Sequence, residues 1–123
     1  MSARRVVMVV PDLFFATRIT ATAARLGVAI QAPAPQEALA VIRLLPPDLV
    51  VLDLRAQGDP LALARSLKAD PATRHIPVVG FYPHVEGALR EAALAAGVDQ
   101  VLPRSAFTAR LASLLTGEGG TQP

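Results

Sequence analysis

Asp53 is the acidic side chain whose place in the sequence most clearly favours chemistry. It follows the apolar run 49–52, which predicts a strand buried on both faces. A carboxylate at the end of such a strand lies at the carboxyl edge of a sheet, where open α/β sheets bind their ligands. The sequence therefore predicts that Asp53 lies at a functional edge, either as a reactive group or as what remains after a reaction was lost.

Residues at three other predicted strand ends could also contribute to a site. They are Pro11 and Asp12 after the first apolar run, Tyr82, Pro83 and His84 after the fourth, and Pro103, Arg104 and Ser105 after the fifth. Because the carboxyl ends of parallel strands meet at one edge, these groups are expected to share a rim with Asp53.

Short apolar runs alternate with helix-like segments along the whole chain. Strands are predicted at 6–10, 28–32, 49–54, 76–82 and 99–103, and helices at 13–26, 35–45, 61–67, 85–96 and 105–115. Asp12 and Ser105 are expected to cap helix starts, and Gly27 a helix end. The alternation predicts a single α/β domain, residues 1–116, with a doubly wound five-stranded parallel sheet and a flexible tail at 117–123.

Composition excludes several classes of function. The 123 residues contain no cysteine, so disulfides, thiolate zinc sites and cysteine nucleophiles are excluded. The net charge is only +2 and the arginines are scattered, which argues against nucleic acid as a partner. No apolar run is long enough to cross a membrane, and a cytoplasmic location is expected. Phosphate-binding glycine loops and the serine-nucleophile motif are also missing.

Residues 4–115 resemble the receiver domain of two-component response regulators, the CheY-like family. The resemblance rests on the element order, on LVVLDL carrying Asp53, on IPVV before the fourth site position, and on AAGVDQVLPR. It implies a flavodoxin-like (βα)5 fold. In that family two acids after the first strand and the third-strand aspartate hold Mg²⁺, and that aspartate is phosphorylated. A Thr or Ser after the fourth strand and a Lys after the fifth contact the phosphoryl group.

Carried over position by position, the match is partial. Asp53 falls on the phosphoacceptor and Asp12 on the second acid, so these two are the only metal ligands that the resemblance leaves. Pro11 replaces the first acid, Tyr82 the Thr or Ser, Arg104 the Lys, and Ser105 the proline that usually follows. Arginine is not a conservative exchange for lysine at a tight site. The combination predicts that ordinary Mg²⁺-dependent phosphotransfer is lost.

Simpler structural roles are open for the same residues. Asp53 would pair with Arg104, which would then serve as a built-in cation, or it would cap a backbone amide. Asp12 would be a helix cap, and Tyr82 a half-buried aromatic with a solvated hydroxyl. His84 would be a cap or a surface residue.

These patterns favour a stand-alone pseudo-receiver that signals through protein contact, without a cofactor and without enzymatic turnover beyond self-phosphotransfer. The expected partner is a histidine kinase, an output protein or a second copy of the chain, and Arg90, Arg104 and Arg110 are the interface candidates. One alternative is a phospho-receiver in which Asp12 and Asp53 hold Mg²⁺. Another is a small-molecule-binding domain with an open pocket between Asp12, Asp53 and Tyr82.

Overall fold

Five parallel strands form one sheet in the order β2-β1-β3-β4-β5. The structure is a computed structural model that describes residues 4–83 and 87–117. The strands are β1 (Arg5–Val9), β2 (Ala29–Gln31), β3 (Leu49–Asp53), β4 (Val78–Tyr82) and β5 (Gln100–Pro103). This order confirms the predicted doubly wound α/β fold, with β3 in the centre.

Helices cover both faces of the sheet. They are α1 (Leu13–Leu26), a short 3-10 helix (Pro35–Glu37), α2 (Ala38–Leu44), α3 (Pro60–Ala69), α4 (Gly87–Ala95), α5 (Arg104–Ala109) and α6 (Leu111–Thr116). Apolar side chains of α1, α5 and α6 pack on one face of the sheet, and those of α2, α3 and α4 on the other. Both faces of β3 are therefore buried, as its unbroken apolar run predicts.

Alternation along the strands decides which side chains share a face. Leu49 and Val51 of β3 face α1, whereas Val50 and Leu52 face α2 and α3. In the register of the sheet, Asp53 lies beside Phe81, not beside Tyr82. Phe81 thus faces α1, and the next residue, Tyr82, is turned to the opposite face.

The ends of α1 match the sequence prediction. Asp12 Oδ1 accepts a hydrogen bond from the Phe15 backbone N–H at 3.1 Å, and Gly27 ends the helix at a φ of 74°. That left-handed conformation favours glycine because a Cβ is strained there. The cap fixes the position of Asp12 at the carboxyl edge of the sheet.

The last predicted helix differs in two ways. Pro103, not Ser105, is the N-cap residue, and Ser105 lies inside the first turn without a capping hydrogen bond, so the capping role predicted for Ser105 is wrong. Proline holds the extended conformation from which the helix starts directly at Arg104. The helix then breaks at Arg110, which has φ −104° and ψ 9°, and α6 packs against α1 after the break.

Gly80 of β4 allows the residue after Asp53 to pack closely on the sheet. A Cβ at Gly80 would lie 2.7 Å from Leu54 Cδ2, closer than real side chains approach. Leu54 is buried there, and its backbone N–H donates to the Phe81 carbonyl at 2.9 Å. This contact fixes the start of the loop that follows Asp53.

Within residues 4–83 and 87–117, no helix is long and apolar enough to cross a membrane. The predicted tail lies outside the described residues except for Gly117, which ends α6 in a left-handed conformation.

Candidate functional site at the carboxyl edge

Asp12, Asp53 and Arg104 meet at the carboxyl edge, as the strand pattern predicts. Asp12 follows β1, Asp53 ends β3, and Arg104 follows β5. Arg104 forms an ion pair with Asp12, and the charges of both act on the pKa of Asp53, which Arg104 lowers and Asp12 raises.

The partner of Arg104 is Asp12. Arg104 Nη2 lies 3.2 Å from Asp12 Oδ2, and both side chains are partly exposed, at 37% and 42%. Among the described residues, Arg104 makes this ion pair and none with Asp53. The predicted pairing of Arg104 with Asp53 is therefore wrong, although the positive charge still acts on Asp53 from a distance.

An aromatic surface explains why Arg104 turns toward α1. The guanidinium carbon of Arg104 lies 4.2 Å from the centroid of the Phe15 ring and 5.9 Å from that of Phe81. A guanidinium over a ring face gains a cation–π attraction of about 0.5–2 kcal/mol, and it keeps its edge available for hydrogen bonds. Phe15 therefore holds the plane of the guanidinium, and Asp12 binds one edge of it.

Phe15 belongs to a buried cluster of three phenylalanines. The ring centroids of Phe15 and Phe81 are 5.0 Å apart in an edge-to-face contact, and Phe81 stacks on Phe107 at 4.7 Å. The sequence prediction missed this cluster. A signal was present, because each phenylalanine lies within three residues of a predicted site residue and the chain has few aromatic residues.

The position of Arg104 leaves one polar atom without a partner. Its Nε is buried, and no described residue accepts a hydrogen bond from it. Burying an N–H in this way is costly, so the stacking on Phe15 and the pairing with Asp12 must offset that cost. The guanidinium is thus held by the hydrogen bond from Nη2 to Asp12 and by its stacking on Phe15, and its Nε takes no part.

Both carboxylate oxygens of Asp12 are engaged. Oδ1 accepts from the Phe15 N–H and Oδ2 from Arg104. The Phe15 N–H and, to a smaller extent, the Arg104 hydrogen bond hold the pKa of Asp12 below its ordinary value, because both favour the ionised form. Asp12 is a helix cap and an ion-pair partner at once.

Asp53 has a different environment. Its side chain is half-buried, and Oδ1 accepts a hydrogen bond from the Arg55 backbone N–H at 2.9 Å. Burial raises the pKa of Asp53, and the charge of Asp12 adds to this, while the Arg55 N–H and the charge of Arg104 oppose it. Asp53 therefore lacks the direct side-chain partner that Asp12 has among the described residues.

The arrangement does not fit a magnesium ion. Three carboxylates would be needed for the site that the resemblance implies, but Pro11 supplies none and Asp12 is bound to Arg104. The described part of the chain contains no group of three or more acidic or histidine side chains that could hold a metal. The predicted ligands Asp12 and Asp53 are both at the rim, but only Asp53 keeps a carboxylate oxygen to which no described residue donates.

Tyr82 lies in the core, so its predicted place at the rim as a half-buried aromatic with a solvated hydroxyl is wrong. Its exposure is 3%, and it packs with Leu52, Leu54 and the apolar side chains of α2, α3 and α4. Strand alternation is the cause, since Tyr82 follows the residue that lies beside Asp53. Alternation within β4 predicts that Phe81 and Tyr82 face opposite sides of the sheet, and the register of β3 and β4 decides that Phe81 is the one beside Asp53.

The remaining predicted residues are dispersed. Pro11 and Ser105 are exposed at the rim, Arg90 is exposed on α4, and Arg110 is partly buried at the junction of α5 and α6. The guanidinium of Arg104 lies over the Phe15 ring of α1, whereas Arg90 is on α4, so these two interface candidates do not share a helix. His84 lies outside the described residues.

A cavity of about 800 Å³ opens beside Asp53. It is bounded by the loops that follow β1, β2 and β3, and among the residues that line it are Val10, Pro11, Leu13, Pro33, Pro35, Asp53 and Arg55. The pocket predicted between Asp12, Asp53 and Tyr82 shares only Asp53 with this cavity, which lies on the β2 side of the rim.

The fold is that of solved receiver domains. A response regulator from Hahella chejuensis superimposes with a TM-score of 0.85 at 18% identity, covering 97% of each chain. The receiver domain of a sensor histidine kinase from Pseudomonas aeruginosa, which has a magnesium ion in its active-site cleft, gives 0.79 at 21% identity, covering 94% of this chain and 99% of that one. A phosphorylated cyanobacterial phytochrome response regulator gives 0.78 at 20% identity, covering 94% and 91%.

No family model matches the sequence, and no curated protein matches it. At these identities the structural likeness establishes the CheY-like receiver fold, which confirms the fold that the resemblance implied. Activity has to be argued from the side chains at the rim.

Proposed function

We propose that this chain is a pseudo-receiver, which acts in signal transduction through protein contacts and without ordinary Mg²⁺-dependent phosphorylation. One observation carries the proposal. The guanidinium of Arg104 is bound to Asp12 and stacked on Phe15, so a protein cation takes the carboxylate that a metal would need. A receiver with this rim keeps the aspartate but not the means to activate a phosphoryl donor beside it.

The aspartate itself argues in the same direction. Asp53 is half-buried, and burial raises its pKa because the ionised form is poorly solvated. Placing a phosphoryl group there would add negative charge beside Asp12. Without a divalent cation, only the charges of Arg104 and Arg55 would compensate it, and neither is paired with Asp53 among the described ion pairs.

Protein contact is the output that the surface supports. Phe14 is 92% exposed and Leu13 79% exposed at the start of α1, beside the rim, and Leu94 is exposed on α4 near Arg90. Leu13 and Phe14 are adjacent, and adjacent exposed apolar side chains are typical of protein-binding surfaces, whereas Leu94 lies on a helix of the opposite face of the sheet. A histidine kinase, an output protein and a second copy of the chain remain the expected partners.

Intact-mass spectrometry tests the proposal. The protein is incubated with Mg²⁺ and acetyl phosphate, and a receiver of known activity serves as the positive control. We expect no phosphoryl adduct on this chain. An adduct that disappears in Asp53→Asn would contradict the proposal and would favour the alternative, a phospho-receiver in which Asp53 is the acceptor.

A double variant that restores the residue types of phosphorylated receivers tests whether the rim residues prevent phosphorylation. Pro11→Asp restores the missing carboxylate, and Arg104→Lys removes the fork that binds Asp12. If the rim residues are what prevent phosphorylation, the double variant should gain an adduct that the parent lacks. Failure of both proteins to react would locate the cause elsewhere in the loops and would leave Arg104 without the role proposed here.

A further inference from the structure

The cavity beside Asp53 lies at the point where the strand order reverses. The chain passes from β1 outward to β2 and then back across to β3, and the loops after these three strands enclose the cavity. Doubly wound sheets bind ligands in the crevice outside the strand ends at this reversal. The volume of about 800 Å³ is within the range of small-molecule sites.

The walls of the cavity are apolar and conformationally restricted. Pro11, Pro33 and Pro35 contribute three of the lining side chains, and alanine, valine and leucine contribute most of the others. Proline and alanine side chains lose little conformational entropy when a ligand is bound. A flat apolar body would therefore be held at low entropic cost.

Asp53 is the carboxylate in this apolar wall. One of its oxygens accepts the Arg55 N–H, and no described residue donates to the other. The nearby cation Arg104 is held by Asp12 and Phe15 and does not reach Asp53. A half-buried carboxylate gains most from a ligand that brings both positive charge and N–H donors.

Phosphate-bearing ligands do not fit this cavity. The loop after β1 contributes Pro11, which has no N–H, and the Phe15 N–H at the start of α1 already donates to Asp12, which does not line the cavity. A phosphate in the cavity would lie beside the carboxylate of Asp53 and would lack the free helix N–H groups that bind phosphate at such sites. Arg55 also lines the cavity, and this leaves a carboxylate ligand as the competing possibility to be tested.

We propose that this cavity binds a small planar cation with an aromatic body, of the aryl amidine or protonated aminopyrimidine class, whose N–H groups donate to Asp53. The planar part lies against the proline-lined wall, and the cation replaces the metal and phosphoryl group as the partner of Asp53. The proposal rests on the proposed function in one respect, because Asp53 must carry no phosphoryl group.

Three probes of equal size separate charge from shape. Benzamidine, benzamide and benzoate are titrated into ¹⁵N-labelled protein, and backbone amide shifts are followed. We expect benzamidine to give saturable shifts at Ala34, Ala56 and Arg55, which border the cavity, and to bind at least about tenfold more tightly than the other two. Equal binding of all three, preference for benzoate, or no saturable shift at these residues would overturn the proposal.

Two variants and one control locate the site. Asp53→Asn should weaken benzamidine binding by about tenfold or more. The control, Asp70→Asn, removes the same charge at the opposite edge of the sheet, and it should change the affinity for benzamidine by less than about twofold. Ala34→Tyr keeps Asp53 and fills the cavity, so it should abolish binding. The spread of amide shifts shows in each case that the variant is folded. If Asp53→Asn binds benzamidine as tightly as the parent does, Asp53 is not the group that binds the cation, and the proposal is refuted whatever the phosphorylation experiment shows.

Discussion

The stacking of Arg104 on Phe15 predicts a measurable energetic coupling between the two side chains. The guanidinium lies 4.2 Å from the ring centroid, and the arginine side chain is 37% exposed. Cation–π contacts contribute about 0.5–1 kcal/mol when exposed and about 2 kcal/mol when desolvated, so this pair should be coupled by about 1 kcal/mol. The total loss in Arg104→Ala also contains the removal of the unpaired Nε, which offsets part of it.

A double-mutant cycle isolates the coupling. Arg104→Ala, Phe15→Leu and the double variant are unfolded in urea, and free energies of unfolding are compared. Leucine keeps an apolar side chain beside Phe81 while removing the ring face. Because independent changes add within about 0.3–0.5 kcal/mol, a coupling of about 1 kcal/mol is resolvable.

A control double-mutant cycle uses a different arginine, Arg65, in place of Arg104. Arg65 is exposed on α3, which packs on the opposite side of the sheet from Phe15. Arg65→Ala and Phe15→Leu should therefore be additive. If the Arg104 cycle is also additive, the ring does not hold the guanidinium, and the explanation given for the orientation of Arg104 fails.

Three further outcomes follow from the rim and the strands beneath it. Tyr82→Thr, which installs the residue type common in receivers, should cost about 2–4 kcal/mol in urea unfolding because Tyr82 is buried, whereas Tyr82→Phe should change stability by less than about 1 kcal/mol. Since burial raises the pKa of Asp53, its contribution to stability is fully present below pH 3.8 and is lost as pH rises through the folded-state pKa. Asp53→Asn should thus be more stable than the parent at neutral pH, and a pH series of unfolding curves should show this advantage vanishing below pH 3.8; a constant difference would contradict it. Gly80→Ala should cost about 1–3 kcal/mol by displacing Leu54, and should shift the Arg55 amide resonance; an unchanged melting curve would show that Leu54 moves without cost.

The elements were predictable because each is determined by local chemistry. The β-branched and leucine runs of β1 and β3 give strands buried on both faces, and Asp12 and Gly27 bring the capping groups that α1 requires. The sequence places the start of α5 one residue too late, at Ser105, because serine is a strong capping signal, whereas Pro103 both ends β5 and is the N-cap residue. The break between α5 and α6 at Arg110 could not be predicted, because no proline or glycine lies near it in the sequence.

The charged residues of the rim were predictable, but Tyr82, which lies in the core, and the pairing of the charges were not. Position along the chain brings Asp12, Asp53 and Arg104 to one edge, since the strands are parallel and end together. Which acid the arginine binds depends on the surface beneath its guanidinium, and that surface is Phe15, which is brought there by the packing of α1 on β4 and α5.

The sequence by itself determined the order of strands and helices, the end of the central strand at Asp53, and the loss of one carboxylate at Pro11, because these depend on residue type and local periodicity. Only the tertiary structure decided that Arg104 binds Asp12, that the cavity opens on the β2 side, and that Asp53 lacks a side-chain partner among the described residues. The physical reason is that a long side chain chooses between partners a few ångström apart, and the choice follows from the packing of elements far apart in sequence.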